Sequence, residues 1–491
     1  MKDKFSANRG VTRSPFETFS SGAGDETADS STFWKGARRL DDPNPSADDS
    51  DSDSFDGRPG SRETSPSIPS DNRDWALLAS EKWSGNPGHG LTYFGLFLFT
   101  FILYFRPYEL IPSLSDLSAI AFIVALATLL IYVPSQLAAE GSLTAMPVEV
   151  KCVLFLTAWA LITVPFAKSP NLAWEKFDEN FSKVAIIFVV MVNALRSIPR
   201  LKGLIWLGIA VGVYLSIEAV NLYMAGKFDV EGYRVKVDFG GMFGNPNDMA
   251  IHLIMFIPIS IGLGMVSRSL VWKLLYYASA ALMTAAVMVT QSRGAFLGLV
   301  SVAVVLVWKF GKESRLKISL ISIVIGTVVM LLAPGNYGRR VLSIFMPSLD
   351  PVGSSDHRWE LLMRSFLVTA RNPFGIGIGN FSIVGQHNQE THNAYTQVSA
   401  ELGWIALFAY MMLLIMPLRR LGALERVTSL DDRRAWFNTM SKVVFASIVG
   451  YMVASFFGAV AYNWYIYYPV AFAVCLRRLY QNDLERAGAE R

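Results

Sequence analysis

The stretch DMAIHLIMFIPISIGLGMV (residues 248–266) carries no charge after its opening Asp248, and SRSLVWK (267–273) closes it with Arg268 and Lys273. A membrane-crossing helix needs about 20 mostly apolar residues. In lipid no water satisfies exposed backbone groups, so such a segment must be helical. The pattern recurs near 91–105, 115–134, 147–167, 183–196, 201–223, 271–290, 294–310, 316–333, 396–417, 440–460 and 463–476. The chain is therefore expected to be an all-α polytopic membrane protein with about twelve transmembrane helices.

Composition points the same way. Only 17% of the 491 residues are charged and 52% are hydrophobic, with a mean hydropathy of +0.34. A soluble domain carries roughly 25% charged residues. A net charge of +4 spread over this length gives no reason to expect nucleic acid as a partner. Cys152 and Cys475 both sit in apolar runs and are too few for a disulfide framework or a thiolate zinc site.

The chain divides into four parts. Residues 1–72, with NPSADDSDSDSFDGRPGS, are rich in Ser, Asp, Gly and Pro and cannot bury enough surface to fold, so a disordered acidic tail is expected. They contain no apolar run of signal-peptide length, so no secretory leader is expected. Residues 73–90 form a juxtamembrane segment in which DWALLASEKW (74–83) suggests a small interfacial helix. Residues 91–478 are the transmembrane domain, and 479–491 a short C-terminal tail.

Loop charge sets the orientation. With the N-terminal tail in the cytoplasm, RSIPRLKG (196–203), SRSLVWK (267–273), KFGKESRLK (309–317), RRLGALERVTSLDDRRAW (419–436) and the final LRRLYQNDLER all fall on the same side. Each is rich in Lys or Arg, as cytoplasmic loops are. Both termini come out cytoplasmic. The opposite side receives RPYELIPSL (106–114), residues 167–183, residues 224–247, the turn QSRG (291–294) and a long loop, 334–395, before the tenth helix. A loop of that length exceeds an ordinary connector and is a place where function concentrates.

Arg293 in TQSRGAFLGL lies at a membrane boundary on that outer side. A guanidinium there is costly unless paired or hydrated, which makes it a functional candidate; the alternative is a snorkelling side chain. The long loop adds Arg339 and Arg340, Arg358, Arg364 and Arg371. Arginine grips phosphate through a planar fork, so the set suggests an anionic ligand, although any one of these residues could be an ordinary solvated charge. NPFGIGIGNF (372–381) has alternating glycines but no strand before it, so it reads as a tight turn able to bring backbone close to a ligand rather than as a dinucleotide fingerprint.

HNQETHNAYTQVSAELGW (387–404) holds two of the five histidines. On a helix His387 and His392 would point about 140° apart, which disfavours a shared metal. His392 instead falls at the mouth of a helix that Thr391 or Asn393 can cap. The positive end of that helix disfavours imidazolium, and a neutral imidazole can take a proton from an attacking hydroxyl. A polar interfacial histidine bonded to a neighbouring loop is the equal alternative.

FGNPNDMA (243–250), then SRGA (292–295), then NPFGIGIGNF and HNAYTQVSAELGWIALF resemble the O-antigen ligase family over about residues 91–478. RPYELIP (106–112) is similar to its exosortase-associated branch. The resemblance implies a GT-C-like inner-membrane glycosyltransferase that moves a glycan from undecaprenyl diphosphate, at the periplasmic face, to lipid A-core, protein or another envelope acceptor. It implies an inverting enzyme needing no metal and no cofactor, with the donor, the acceptor and membrane lipids as partners. His392 corresponds to the base, and Arg293 and Arg358, before Trp359, to residues that hold the diphosphate. Arg339 and Arg340 are possible helpers, and Asn393 and Tyr395 belong to the same motif and are expected to touch substrate. A polymerase joining repeat units is the close alternative. A transporter or flippase is the distant one, but the polar residues gather at the outer edge rather than at mid-membrane.

Overall fold

The computed structural model describes residues 72–79, 88–105, 120–228, 245–311, 337–342, 354–385, 389–429 and 434–489, with single residues and short pieces between these ranges. Nearly all of the expected tail, the connection 106–119, most of 316–333, and His387 lie outside the described residues.

Helices α1 (Asn72–Ala79), α2 (Gly90–Phe105), α3 (Ile120–Glu140) and α4 (Val148–Thr163) come first. Next are α5 (Pro170–Lys176), α6 (Ser182–Ala194), α7 (Ile198–Met224), α8 (Pro246–Val266), α9 (Leu270–Val289) and α10 (Arg293–Phe310). The long loop contains α11 (Tyr337–Leu342), α12 (Ser354–Arg371) and α13 (Phe381–Val384). Helices α14 (Ala394–Thr428), α15 (Ala435–Ala454) and α16 (Tyr467–Ala489) end the chain. No strand forms among the described residues; the bridge between Val230 and Arg234 is isolated.

Eight of the described helices are long and apolar enough to cross a membrane. Three further expected spans are shorter or more polar. Helix α2 has 16 residues, α6 has 13, and α16 places Arg477 and Arg478 after only three apolar turns. The span expected at 316–333 lies mostly outside the described residues. Helix α3 leaves Phe122, Ile123, Leu126 and Leu130 exposed, and α9 does the same with Leu270, Val271, Leu274 and Leu275. Apolar surface on this scale needs lipid around it. The chain is a multi-pass membrane protein. At its centre stands α8, whose residues from Met249 to Ile259 are all buried, packed against α7, α9, α10 and α15.

Ion pairs, most of them buried, knit the Arg- and Lys-rich ends of these helices. Glu149 of α4 receives Arg477 of α16 at 2.7 Å and Arg420 of α14 at 3.1 Å. Glu140 receives Arg196 at 2.8 Å and Arg478 at 3.0 Å. Lys309 meets Glu425 at 2.6 Å, and Asp74 of α1 meets Arg426 at 2.6 Å. Basic residues at these helix ends thus fasten the helices together.

Helix α14 is broken at Gly403, which has φ 83° and ψ −178°. The turn NPFGIGIGNF fills the break. The N–H groups of Ile376 and Gly377 donate to the carbonyls of Ala400 and Glu401 at 3.0 and 2.8 Å, and Trp404 N–H donates to Pro373 O at 3.1 Å. Trp159 Nε1 donates to Leu402 O at 2.8 Å. Gly375 (φ 85°) approaches so closely that a Cβ there would lie 2.2 Å from Glu401 O. These glycines therefore bring backbone against a helix.

Candidate active site

Connections between the helices converge on a polar cavity of about 200 Å³. Lys176 and Asn180 enter from the end of α5 and the π-helical turn after it. Asn245, Asn247 and Asp248 enter from the start of α8, and Glu390, His392 and Gln397 from the start of α14. Tyr462 and Asn463, between α15 and α16, complete the wall. Gly379 also lines it, so the glycine-rich turn touches the cavity at its far end.

Each wall is fixed by helix-start chemistry. The Asn245 side chain caps α8, accepting from Asn247 N–H at 2.9 Å, and Pro246 takes a first-turn position whose N–H would be unused. Ser292 caps α10 by accepting from Ala295 N–H at 3.3 Å. The same hydroxyl donates to Asn247 Oδ1 at 2.7 Å. Arg234 donates to Asn247 Oδ1 at 2.8 Å and to Thr290 O at 3.0 Å. One carboxamide thus ties two helix starts and the 224–247 loop. Asn393 caps α14, accepting from the N–H groups of Tyr395 and Thr396 at 2.9 and 3.1 Å.

Two of the non-glycine residues with left-handed backbone, Gln291 (φ 50°) and His392 (φ 51°), stand just before α10 and α14. Such conformations cost energy and collect at functional sites. His392 is half-buried and faces the cavity. Burial, then the charges of Arg358 and His357, lower its imidazole to about 4, so the ring is neutral near pH 7. Arg358 lies on α12, where His357 Nε2 shares a 2.5 Å hydrogen bond with Gln389 Oε1. Helix α12 is held against α14 by Thr369 and Ser399, whose hydroxyls are 3.0 Å apart.

The other expected residues are placed as follows. Arg293 is the first residue of α10 and is buried. The backbone of Arg339 and Arg340 forms α11, which packs on the first turn of α10 through Tyr337 and Phe296, ring centres 6.2 Å apart. The side chains of both arginines lie outside the described residues. The carboxamide oxygen of Asn393 serves the cap. Tyr395 donates its hydroxyl to Met452 O at 2.7 Å and joins α14 to α15.

Asp248, Lys176, Glu390 and Tyr462 carried no expectation. They come from segments far apart in sequence. Only Asp248 had a local signal, a carboxylate in the first turn of an apolar span beside FGNPN. Among the described residues no group of three or more His, Cys, Asp or Glu is arranged to hold a metal ion.

Comparison with curated proteins finds no match. Residues 278–411, from within α9 to the N-terminal half of α14 and including Arg293, Arg358 and His392, match the model of the family described as O-antigen ligase.

Proposed function

We propose that the protein is a glycosyltransferase that moves a glycan from undecaprenyl diphosphate to a hydroxyl on a periplasmic acceptor. The observation that carries this reading is the position of His392. His392 lines a polar cavity at the start of α14, with its ring neutral near pH 7, while Arg358 lies close enough for its charge to act on that ring. A proton acceptor and a cation for a departing phosphate then stand side by side.

The acceptor hydroxyl binds in the cavity and loses its proton to His392 as its oxygen attacks the anomeric carbon. The carbon–oxygen bond to the diphosphate breaks from the opposite side, and the configuration inverts. Charge grows on the diphosphate, and preorganised cations lower that barrier. Arg293 and Arg358 supply that charge, with Arg339 and Arg340 as helpers from α11, so no metal ion is assigned to the step. Asn393 and Tyr395 contribute by holding the helix start that presents His392.

A GT-C-like arrangement of about twelve helices across residues 91–478, both termini in the cytoplasm of a bacterial inner membrane, belongs to the same reading. The test is reconstitution of the full chain with undecaprenyl-diphosphate glycan and candidate acceptors. His392→Ala, Arg293→Ala and Arg358→Ala should each abolish most transfer. A correctly inserted His392→Ala chain with full activity would remove the base from the scheme. Glycan on an acceptor identifies a ligase, and elongated lipid-linked chains identify a polymerase.

A further inference from the structure

Several carboxylates near the Arg- and Lys-rich helix ends are engaged. Glu140, Glu149 and Glu425 each meet an arginine or a lysine. Asp248 differs. It stands in the first turn of α8, half-buried, and lines the cavity that His392 also lines. No ion pair engages it among the described residues. Its place is nonetheless well fixed, because the cap of Asn245 and the hydrogen bonds of Asn247 to Ser292 and Arg234 flank it directly.

We infer that Asp248 is a further catalytic residue, the carboxylate on which the acceptor's proton comes to rest after His392 has drawn it off. The inference rests on the glycosyltransfer reading. Its physical ground is that Asp248 and His392 line one cavity, in which burial, Arg358 and His357 leave the imidazole a poor keeper of a proton. An imidazole in that setting takes a proton only in passing, and efficient acid–base catalysis needs a group that keeps it at working pH. Two carboxylates share the cavity, near enough to repel each other. Glu390 has Lys176 beside it, which offsets its charge. Asp248 lines the cavity with Lys176, Glu390 and His392 and enters no ion pair among the described residues, so it is the better resting place.

The step balances. The acceptor O–H bond breaks and a bond from that oxygen to the anomeric carbon forms. The bond from that carbon to the diphosphate oxygen breaks, and its electron pair stays on the phosphate. The proton passes from the acceptor oxygen to His392 and then to Asp248, which releases it to water when the product leaves.

The experiment uses the full chain in membranes of a strain lacking it, with the strain's own lipid-linked glycan and envelope acceptors. Transfer rate is measured against pH, and the amount of inserted chain by immunoblot. Asp248→Asn should lose about 10²-fold or more in rate, the scale of one acid–base group. Asp248→Glu should regain most of the rate with the acidic limb of the pH profile displaced. An Asp248→Asn chain within about threefold of wild type overturns the role. So does an Asp248→Glu chain whose acidic limb is unmoved, which also decides the matter if Asp248→Asn fails to accumulate. A wild type that transfers nothing removes the glycosyltransfer reading and the Asp248 role together. Normal wild-type transfer with an active Asp248→Asn removes the second alone.

Discussion

The Ser292 hydroxyl donates to the carboxamide oxygen of Asn247 at 2.7 Å, joining the start of α10, where Arg293 stands, to the start of α8, where Asp248 stands. The two residues are 45 positions apart in the chain, and the bond ties the helix start that carries a buried arginine to the one that brings Asp248 to the cavity.

Asn247→Ala should therefore damage both sides at once. It removes the acceptor used by Ser292 and Arg234 and leaves their donors to find others. The expected loss is about 1–3 kcal/mol, the cost of a buried polar group deprived of its partner. Thermal unfolding of the detergent-solubilised chain reads it, and transfer should fall alongside.

The His392 ring should titrate near pH 4, well below the ordinary 6.5. The unfolded chain binds the proton that the folded ring refuses. This contribution to stability is thus whole above pH 6.5 and is lost as pH falls toward 4. Arg358→Gln removes one of the opposing charges and should raise the midpoint, while burial still holds it under 6.5. Carbon-13 labelling of histidine, of which the chain has five, makes the titration readable by NMR.

Gly403→Ala should disrupt the break in α14. A Cβ at that position would lie 2.3 Å from Pro373 O, and φ is 83°. The backbone region costs about 1–3 kcal/mol for a residue with a side chain, before the clash is counted. Lower melting temperature and reduced transfer together are the expected outcome.

Glu149→Ala leaves Arg420 and Arg477 without the carboxylate they share. Removing one partner of a buried pair costs about 3–5 kcal/mol. Accumulation in membranes and thermal unfolding should both drop, although the residue is remote from the cavity.

Much of this was legible in the sequence, for identifiable reasons. Apolar length alone located the eight long spans, because lipid leaves a spanning segment no alternative to helix. The helix mouth at His392 was legible because capping is local, and Asn393 is the cap. Helices α2 and α6, which are short, and α16, which turns polar at Arg477, were read as spans because a hydropathy window does not see where a helix or its apolar part stops. The break at Gly403 was missed for a related reason. ELGW continues an apolar run, and the partner that makes the break stable lies some thirty residues earlier, in 372–381. Lys176, Asp248 and Tyr462 reach the cavity from segments with nothing in common but their end of the bundle.

The broken helix has one more consequence. Helices conduct displacement along their axis because each turn is bonded to the next. At Gly403 that continuity is interrupted, and the bonds go sideways instead, to Ile376, Gly377 and Trp159. The nine residues from Ala394 to Leu402 are thus a short strut clamped from the side, with His392 just beyond its free end. Flexing of the membrane-crossing length below Gly403 is absorbed at the joint, whereas a shift of α4 or of the 372–381 turn is delivered straight to the imidazole. The His392 end of α14 is steered by its neighbours rather than by its own continuation.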